Sequence, residues 1–416
     1  MKPKLLTMLQ GYTAVLFVAD ALAGVTVAMI ALPLSIAIAI ASGAEPAAGL
    51  VTAIIGGFLI SVLGGSRVQI GGPTGAFIVV VYGVIEQFGF DGLLLATLMA
   101  GVILVIAALG RAGRLIALIP EPVIEGFTIG IAFIIAISQL KDLFGLSIAR
   151  LPADFVETVP SLWNARHSAS LAAATIGLAS IAAIALLRRR AGSIVVIAAA
   201  SAAVALFTLP IETIHSRFGD LPKGLPFPSL PPITIARLAE LLPSAMVIAF
   251  LAGVESLLSA LVADRMIGAA HRPNAELFAQ GAANIASPLF GGLPATGAIA
   301  RTAANVRAGG RTPVAGIVHA FAIFVFVIAA APLVGYLAMP ALAALLIVTA
   351  WSMSEPYRWP DRLRARSQDR FLLFLTMILT VVSDLTVAIA VGTAIGLAQR
   401  LIRRDVEPAE WTPPDR

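Results

Sequence analysis

Two side chains carry charge inside otherwise apolar stretches, and their types set the chemistry to look for. Glu255 sits in the middle of Ala249-Phe-Leu-Ala-Gly-Val-Glu-Ser-Leu-Leu-Ser259. A carboxylate at mid-membrane costs about 3 kcal/mol on insertion scales, so it must face a bundle interior or a cavity. A carboxyl held there is suited to taking up and releasing a proton, which makes Glu255 the coupling candidate. Ser259 lies one turn on, on the same helix face. A carboxylate, a hydroxyl and the carbonyls of a broken helix would also suit sodium, the rival coupling ion. Arg301, four residues beyond Gly297, carries an always-charged guanidinium that can compensate an anionic substrate. The structural readings of these residues are an Arg301 that snorkels to the interface and a static ion pair between Glu255 and Arg301.

Other chemistries find no footing. The chain has no cysteine, which excludes disulfides, thiolate metal sites and thiol catalysis. Its four histidines do not cluster; His319 falls within an apolar segment and is expected to pack or hydrogen-bond internally. Paired carboxylates and a nucleophile elbow are absent, and Gly64-Gly65 lacks the lysine and the strand–loop–helix setting of a phosphate loop. The sequence therefore predicts no enzyme, no cofactor and no metal. Asp20, Asp384, Glu121 and Glu125 lie near segment ends and are expected at interfaces.

The elements that must position Glu255 and Arg301 are marked by a repeat. Leu63-Gly64-Gly65…Pro73-Thr74-Gly75-Ala76 is matched by Phe290-Gly291-Gly292…Pro294-Ala295-Thr296-Gly297-Ala298, with Thr74 and Thr296 offset by 222 residues. Both copies follow a full apolar segment and open a short one. Paired short segments interrupted by Gly and Pro are the sequence mark of a transporter's binding site, where half-helices begin near the bilayer midplane. Their free N–H groups and positive dipole ends favour an anion. Thr74, Gly75, Ala76, Gly297, Ala298 and Ile299 are the expected substrate contacts, chiefly through backbone N–H groups. Thr296 is counted with the substrate-binding residues and is the expected cap of the second short helix.

Composition places all this in a bilayer. Of the 416 residues 59% are hydrophobic and only 12% charged, against about 25% charged in soluble domains; the mean hydropathy is +0.96. A soluble fold and a disordered chain are both excluded. Apolar segments fall near 14–41, 46–63, 75–88, 92–109, 116–138, 169–187, 193–209, 241–262, 275–290, 296–308, 312–331, 333–352, 370–383 and 385–402, fourteen spans of which the third and tenth are too short to cross. With both termini cytoplasmic, most of the 28 lysines and arginines lie inside, including Arg188 to Arg190, Arg358 to Arg370 and Arg400 to Arg404. Lys141, Arg150, Arg166, Arg217, Lys223 and Arg237 fall outside. These basic clusters read as topology and anionic-lipid contact, not nucleic-acid binding. Seven spans separate the two copies, so their topologies are inverted.

At these motifs the sequence resembles the SulP family of anion transporters, the sulfate permease and solute carrier 26 group. Pro46-Ala-Ala-Gly-Leu50…Gly65-Ser66-Arg67…Gly72-Pro73-Thr74-Gly75-Ala76 is similar to the family's second-to-third-span motif. Gly297-Ala-Ile-Ala-Arg301-Thr302-Ala-Ala-Asn305…Gly309-Gly310-Arg311-Thr312-Pro313 is similar to its tenth-span motif. Departures are Ala48 and Val51 in place of tyrosines, and Pro33-Leu34 where the family usually has Pro-Gln. Family members usually add a cytoplasmic STAS domain; with only Asp405 to Arg416 after Arg404, the sequence reads as a bacterial member lacking it, either naturally or because the chain is truncated.

The resemblance implies an all-α polytopic membrane protein of fourteen spans in a seven-plus-seven inverted repeat, 1–209 and 210–404, with a cytoplasmic tail at 405–416. Its core domain would come from 14–114 and 241–331 and its gate domain from 115–209 and 332–404. The expected function is secondary-active, proton-coupled transport of a small anion (dicarboxylate, bicarbonate or sulfate) across the inner membrane by elevator movement of the core, with homodimerisation common in the family. Sodium coupling, a nucleobase permease of the same architecture and an uncoupled anion channel are the alternatives.

Overall fold

The computed structural model describes residues 2–114, 120–148, 151–152, 154–187, 192–220, 222, 224–383 and 385–403. The readings on Arg150, Arg188 to Arg190, Lys223, Asp384, Arg404 and the 405–416 tail lie outside the described residues.

Long apolar runs with few breakers become helix. In chain order these are α1 (Ala14–Ala41), α2 (Pro46–Leu63), α3 (75–88), α4 (90–109), α5 (Glu121–Ser138), α6 (Leu171–Leu186), α7 (Gly192–Leu206), α8 (Ile235–Ile267), α9 (Pro273–Leu289), α10 (Ile299–Ala308), α11 (Val314–Gly335), α12 (Met339–Met353), α13 (Ser367–Val382) and α14 (Leu385–Arg403). A helix thus lies over each of the fourteen apolar segments. The break between α3 and α4 is Gly89 at φ 72° and ψ 176°, a conformation open to glycine. Pro46 and Pro273 stand at helix starts, where a missing N–H is harmless.

By length and composition, five stretches among the described residues are long and apolar enough to cross a membrane: Ala14–Ala41, Pro46–Leu63, Gly75–Leu109, Glu121–Phe144 and Ile235–Ile267. A sixth arises if Phe155–Ser168 and Leu171–Leu186, bent by 120°, count as one. Gly192–Leu206 and Val314–Ala330 are apolar but shorter. At ten residues α10 is about 15 Å long, half of the ~30 Å hydrocarbon thickness.

α1 lies along α11, α4 along α9, and α8 against α10; α13 lies along α5, and α12 against α5, α6 and α1. The largest apolar cluster runs through most of these, from Ile36 and Leu95 to Ile131 and Leu342. The second helix is not regular: Thr52–Gly56 forms a π-helical turn. Its Thr52 Oγ1 donates to Ala48 O (2.7 Å) and accepts from Leu293 N–H (2.6 Å), so it pins the loop ahead of the second short helix.

Candidate functional site

The two copies of the repeat meet at a two-residue sheet. β1 (Gly71–Gly72) pairs antiparallel with β2 (Thr296–Gly297), Gly71 opposite Gly297 and Gly72 opposite Thr296. Ala298 N–H extends the ladder to Ile70 O at 2.9 Å. A backbone crossing at this depth must be satisfied internally, since each orphan group costs several kilocalories in lipid. Side chains from distant helices do that work. Asn284 exchanges two hydrogen bonds with Ala295 (2.7 and 2.9 Å) and Asn305 donates to Val68 O (2.8 Å). Thr302 Oγ1 accepts from Ile70 N–H (3.1 Å).

From this sheet α3 and α10 set out, and no side chain caps either start. Arg301, one turn into α10, is 2% exposed. Its Nη2 donates to Pro73 O (3.0 Å) and Ser35 Oγ (3.1 Å), so the guanidinium backs the entry to α3 and does not snorkel. Nε and Nη1 have no hydrogen-bond partner among the described residues. Gly72, at φ +152°, makes room for this: a Cβ there would overlap the guanidinium. Thr74 Oγ1 donates to Glu255 Oε2 at 2.8 Å. The two charged groups therefore meet consecutive residues, Pro73 and Thr74, at the start of α3. Arg301 is given to Ser35 and Pro73, and among the described residues no ion pair joins it to Glu255. The site is not sealed. Ile299 is 39% exposed, Glu255 and Ala76 are half-buried, and the side chains of Met353 and Ile135 approach Gly75 from α12 and α5.

Several expected roles are corrected. Thr296 is not the cap of α10: Ala298 occupies that position, and Thr296 Oγ1 donates to Ala252 O at 3.0 Å. The Ala298 N–H, expected to face substrate, is held by Ile70 O. Ser259 shares a helix face with Glu255 but hydrogen-bonds Thr302 Oγ1 (3.1 Å), one turn away from the carboxylate. Asp20 is fully buried and ties α1 to the start of α11: it accepts from Arg311 N–H (2.7 Å), Thr312 N–H (3.1 Å), Thr312 Oγ1 (2.6 Å) and Tyr12 OH (3.0 Å). His319 packs in the interior, yet neither ring nitrogen has a hydrogen-bond partner among the described residues.

Glu121 and Glu125 do lie at an end, in a cluster with Glu355, Arg358 and Arg362 whose ion pairs span 2.7–3.2 Å. Burial pulls the Arg358 guanidinium down, but Glu125, Glu355 and Glu121 outweigh it and hold its pKa above the usual arginine value. Sequence reasoning missed Glu276, which is 0% exposed on α9, and Thr52. Clefts of about 540 Å³ (Tyr82, Lys141, Asp142, Glu212 and Arg217 among its lining) and about 600 Å³ (Glu86, Asp154, Thr380) do not include Glu255, Thr74 or Arg301. In the first, Arg217 is already paired with Asp142 (2.7 Å) and Glu212 (2.6 Å).

The arrangement has clear relatives. The chain is 42% identical over 389 residues to the putative sulfate transporter YvdB of Bacillus subtilis, covering 92% of this chain and 73% of that protein. It is 30% identical over 393 residues to the bicarbonate transporter BicA of Picosynechococcus sp., covering 90% and 69%. Among solved structures, the transmembrane domain of a cyanobacterial BicA superposes with a TM-score of 0.81 at 29% identity, covering 90% of this chain and 96% of that one. Murine solute carrier 26 member A9, in the inward-facing state, superposes at 0.88 with 18% identity, covering 97% and 72%, a likeness of fold. The sequence pattern of the sulfate permease family matches residues 17–376, the stretch that holds both short helices, Glu255 and Arg301. By that match, and by the identity it shares with YvdB, the chain belongs to the sulfate permease family.

Proposed function

We propose that this chain is a secondary-active transporter of a small anion, either sulfate, bicarbonate or a dicarboxylate. The observation that carries the reading is the convergence of two uncapped helix starts, α3 and α10, with Arg301 bonded to Pro73 and Glu255 bonded to Thr74. Backbone N–H groups of the first turns, with a buried guanidinium behind them, form a seat for negative charge. The likeness to a sulfate and a bicarbonate transporter supports the same class of cargo.

The proposal extends from that seat to the whole chain. The fourteen helices cross the inner membrane as a seven-plus-seven inverted repeat with both ends cytoplasmic, α3 and α10 being half-helices. α1–α4 and α8–α11 form a core that carries the anion past a gate of α5–α7 and α12–α14. Met353 and Ile135 beside Gly75 are the contacts the core slides against. Gly75, Ala76, Gly297 and Ile299 offer backbone to the anion. Glu255 exchanges the coupling proton, and its bond to Thr74 links that exchange to the seat. Two copies form the working unit.

Uptake of radiolabelled sulfate, bicarbonate and succinate into proteoliposomes, with pH and sodium gradients varied separately, tests this. Saturable uptake of one anion driven by inward proton flow, and lost as a pH response in Glu255→Gln, is expected. Sodium-driven uptake reassigns the coupling ion. Flux that neither saturates nor needs a gradient refutes secondary transport, and an unchanged proton response in Glu255→Gln removes Glu255 from the role.

A further inference from the structure

The transport reading leaves one buried carboxyl unused. Glu276 lies in the first turn of α9, and four donors meet its two oxygens. Gly65 N–H (2.9 Å) and Ser66 N–H (3.2 Å) reach Oε2, while Gln280 Nε2 (2.9 Å) and Ser256 Oγ (3.0 Å) reach Oε1. That fills the acceptor capacity of the group.

The contacts continue toward the seat. Gln69 Nε2 donates to Ser256 Oγ (2.8 Å) and to Ser256 O (3.2 Å). The Gln69 amide in turn lies against Gly297, where a Cβ would overlap it. Glu276, Ser256 and Gln69 are all buried. Together they run from the loop after α2 to the start of α10, and Ser256 adjoins Glu255 in sequence.

We propose that Glu276 is a positioning residue: through Ser256 and Gln69 it fixes where Gly297 and the first turn of α10 stand beside Glu255. Gln69 Oε1 and Gln280 Oε1 have no hydrogen-bond partner among the described residues, so the donors of this network are held in place chiefly by the Glu276 carboxylate. A glutamine at 276 keeps one acceptor oxygen for four donors, so the contacts to Gly65, Ser66, Ser256 and Gln280 cannot all persist and the network must re-pair. The consequence for anion affinity rests on the transport reading. The effect on α10 does not.

Hydrogen–deuterium exchange on the full chain in lipid nanodiscs separates the two. Glu276→Gln is expected to raise exchange about ten-fold at residues 65–66 and also at 297–300. Ser256→Ala, which cuts the middle link and spares the contacts of Glu276 to Gly65 and Ser66, is expected to raise it at 297–300 alone. The double variant is expected to add nothing further at 297–300. In uptake of whichever of sulfate, bicarbonate or succinate the wild type carries, both single variants are expected to raise KM about five-fold with kcat little changed. Exchange in Glu276→Gln that rises only at 65–66 overturns the proposal, because it marks a purely local role, and additive effects at 297–300 overturn it too, because they mean the two residues act there independently. If the wild type carries none of the three anions the transport reading fails, while the exchange pattern still decides the positioning role.

Discussion

Replacing Arg301 with methionine keeps an unbranched side chain and removes the charge, so it isolates what the guanidinium does. Two hydrogen bonds vanish, to Pro73 O (3.0 Å) and Ser35 Oγ (3.1 Å), at a residue 2% exposed. Bonds from a charged donor contribute about 1.5–3 kcal/mol each, so part of the loss falls on stability. On the proposed function, the other part falls on the anion. Removing one partner of a desolvated charge pair costs about 2–5 kcal/mol, or about 30-fold to several thousand-fold in affinity. Arg307, on the same helix, is exposed, and Arg307→Met is expected to change affinity by no more than about two-fold. Both variants are compared by binding of labelled sulfate, bicarbonate and succinate to purified protein, with thermal unfolding measured alongside. The reasoning fails if the two substitutions weaken binding equally. It fails also if Arg301→Met lowers the melting temperature and leaves affinity intact, which would make the guanidinium a brace for Pro73 and nothing more.

Three further perturbations have defined outcomes. Gly72→Ala forces a side chain into the guanidinium and strains φ +152°, so uptake is expected to fall about five-fold to 150-fold, from about 1–3 kcal/mol of strain, measured in proteoliposomes. Asp20→Asn replaces an acceptor of four donors by a group that must itself donate, and is expected to destabilise by about 2–4 kcal/mol, read as an earlier thermal transition. Burial and the hydrogen bond to Asp20 raise the Tyr12 phenol from 10.0 to about 12. The folded state thus favours the neutral phenol, and its contribution is complete below pH 10 and lost as pH rises toward 12. Wild type is expected to lose a step of thermal stability across that window which Tyr12→Phe lacks.

The legible part of this protein was what local pattern and repetition encode. Apolar run length located helices, and the doubled Gly-Pro-Thr-Gly-Ala pattern marked the two short ones. Insertion cost singled out Glu255 and Arg301 as the charges with work to do, and Arg301 is indeed buried. Asp20 was misread because nearness to a segment end is a one-dimensional measure; its donors Arg311 and Thr312 arrive from the turn ahead of α11, nearly three hundred residues on. Glu276 was passed over for a related reason. It stands among Asn274, Gln280 and Asn284, so the run around it reads as an ordinary polar helix start.

The sequence by itself determined the membrane class, the helical segments, the family pattern and the two interrupted elements, because each is written in composition or in spacing along the chain. The tertiary structure alone decided what the polar groups face. Only folding pairs Gly71 with Gly297, turns Arg301 toward Pro73, gives Thr74 to Glu255 and withdraws Thr296 to Ala252. The physical reason is that in an apolar interior every donor and acceptor must find a partner. Here those partners come from the opposite half of the chain, or for Thr296 from a helix 44 residues back, at separations that no local periodicity records.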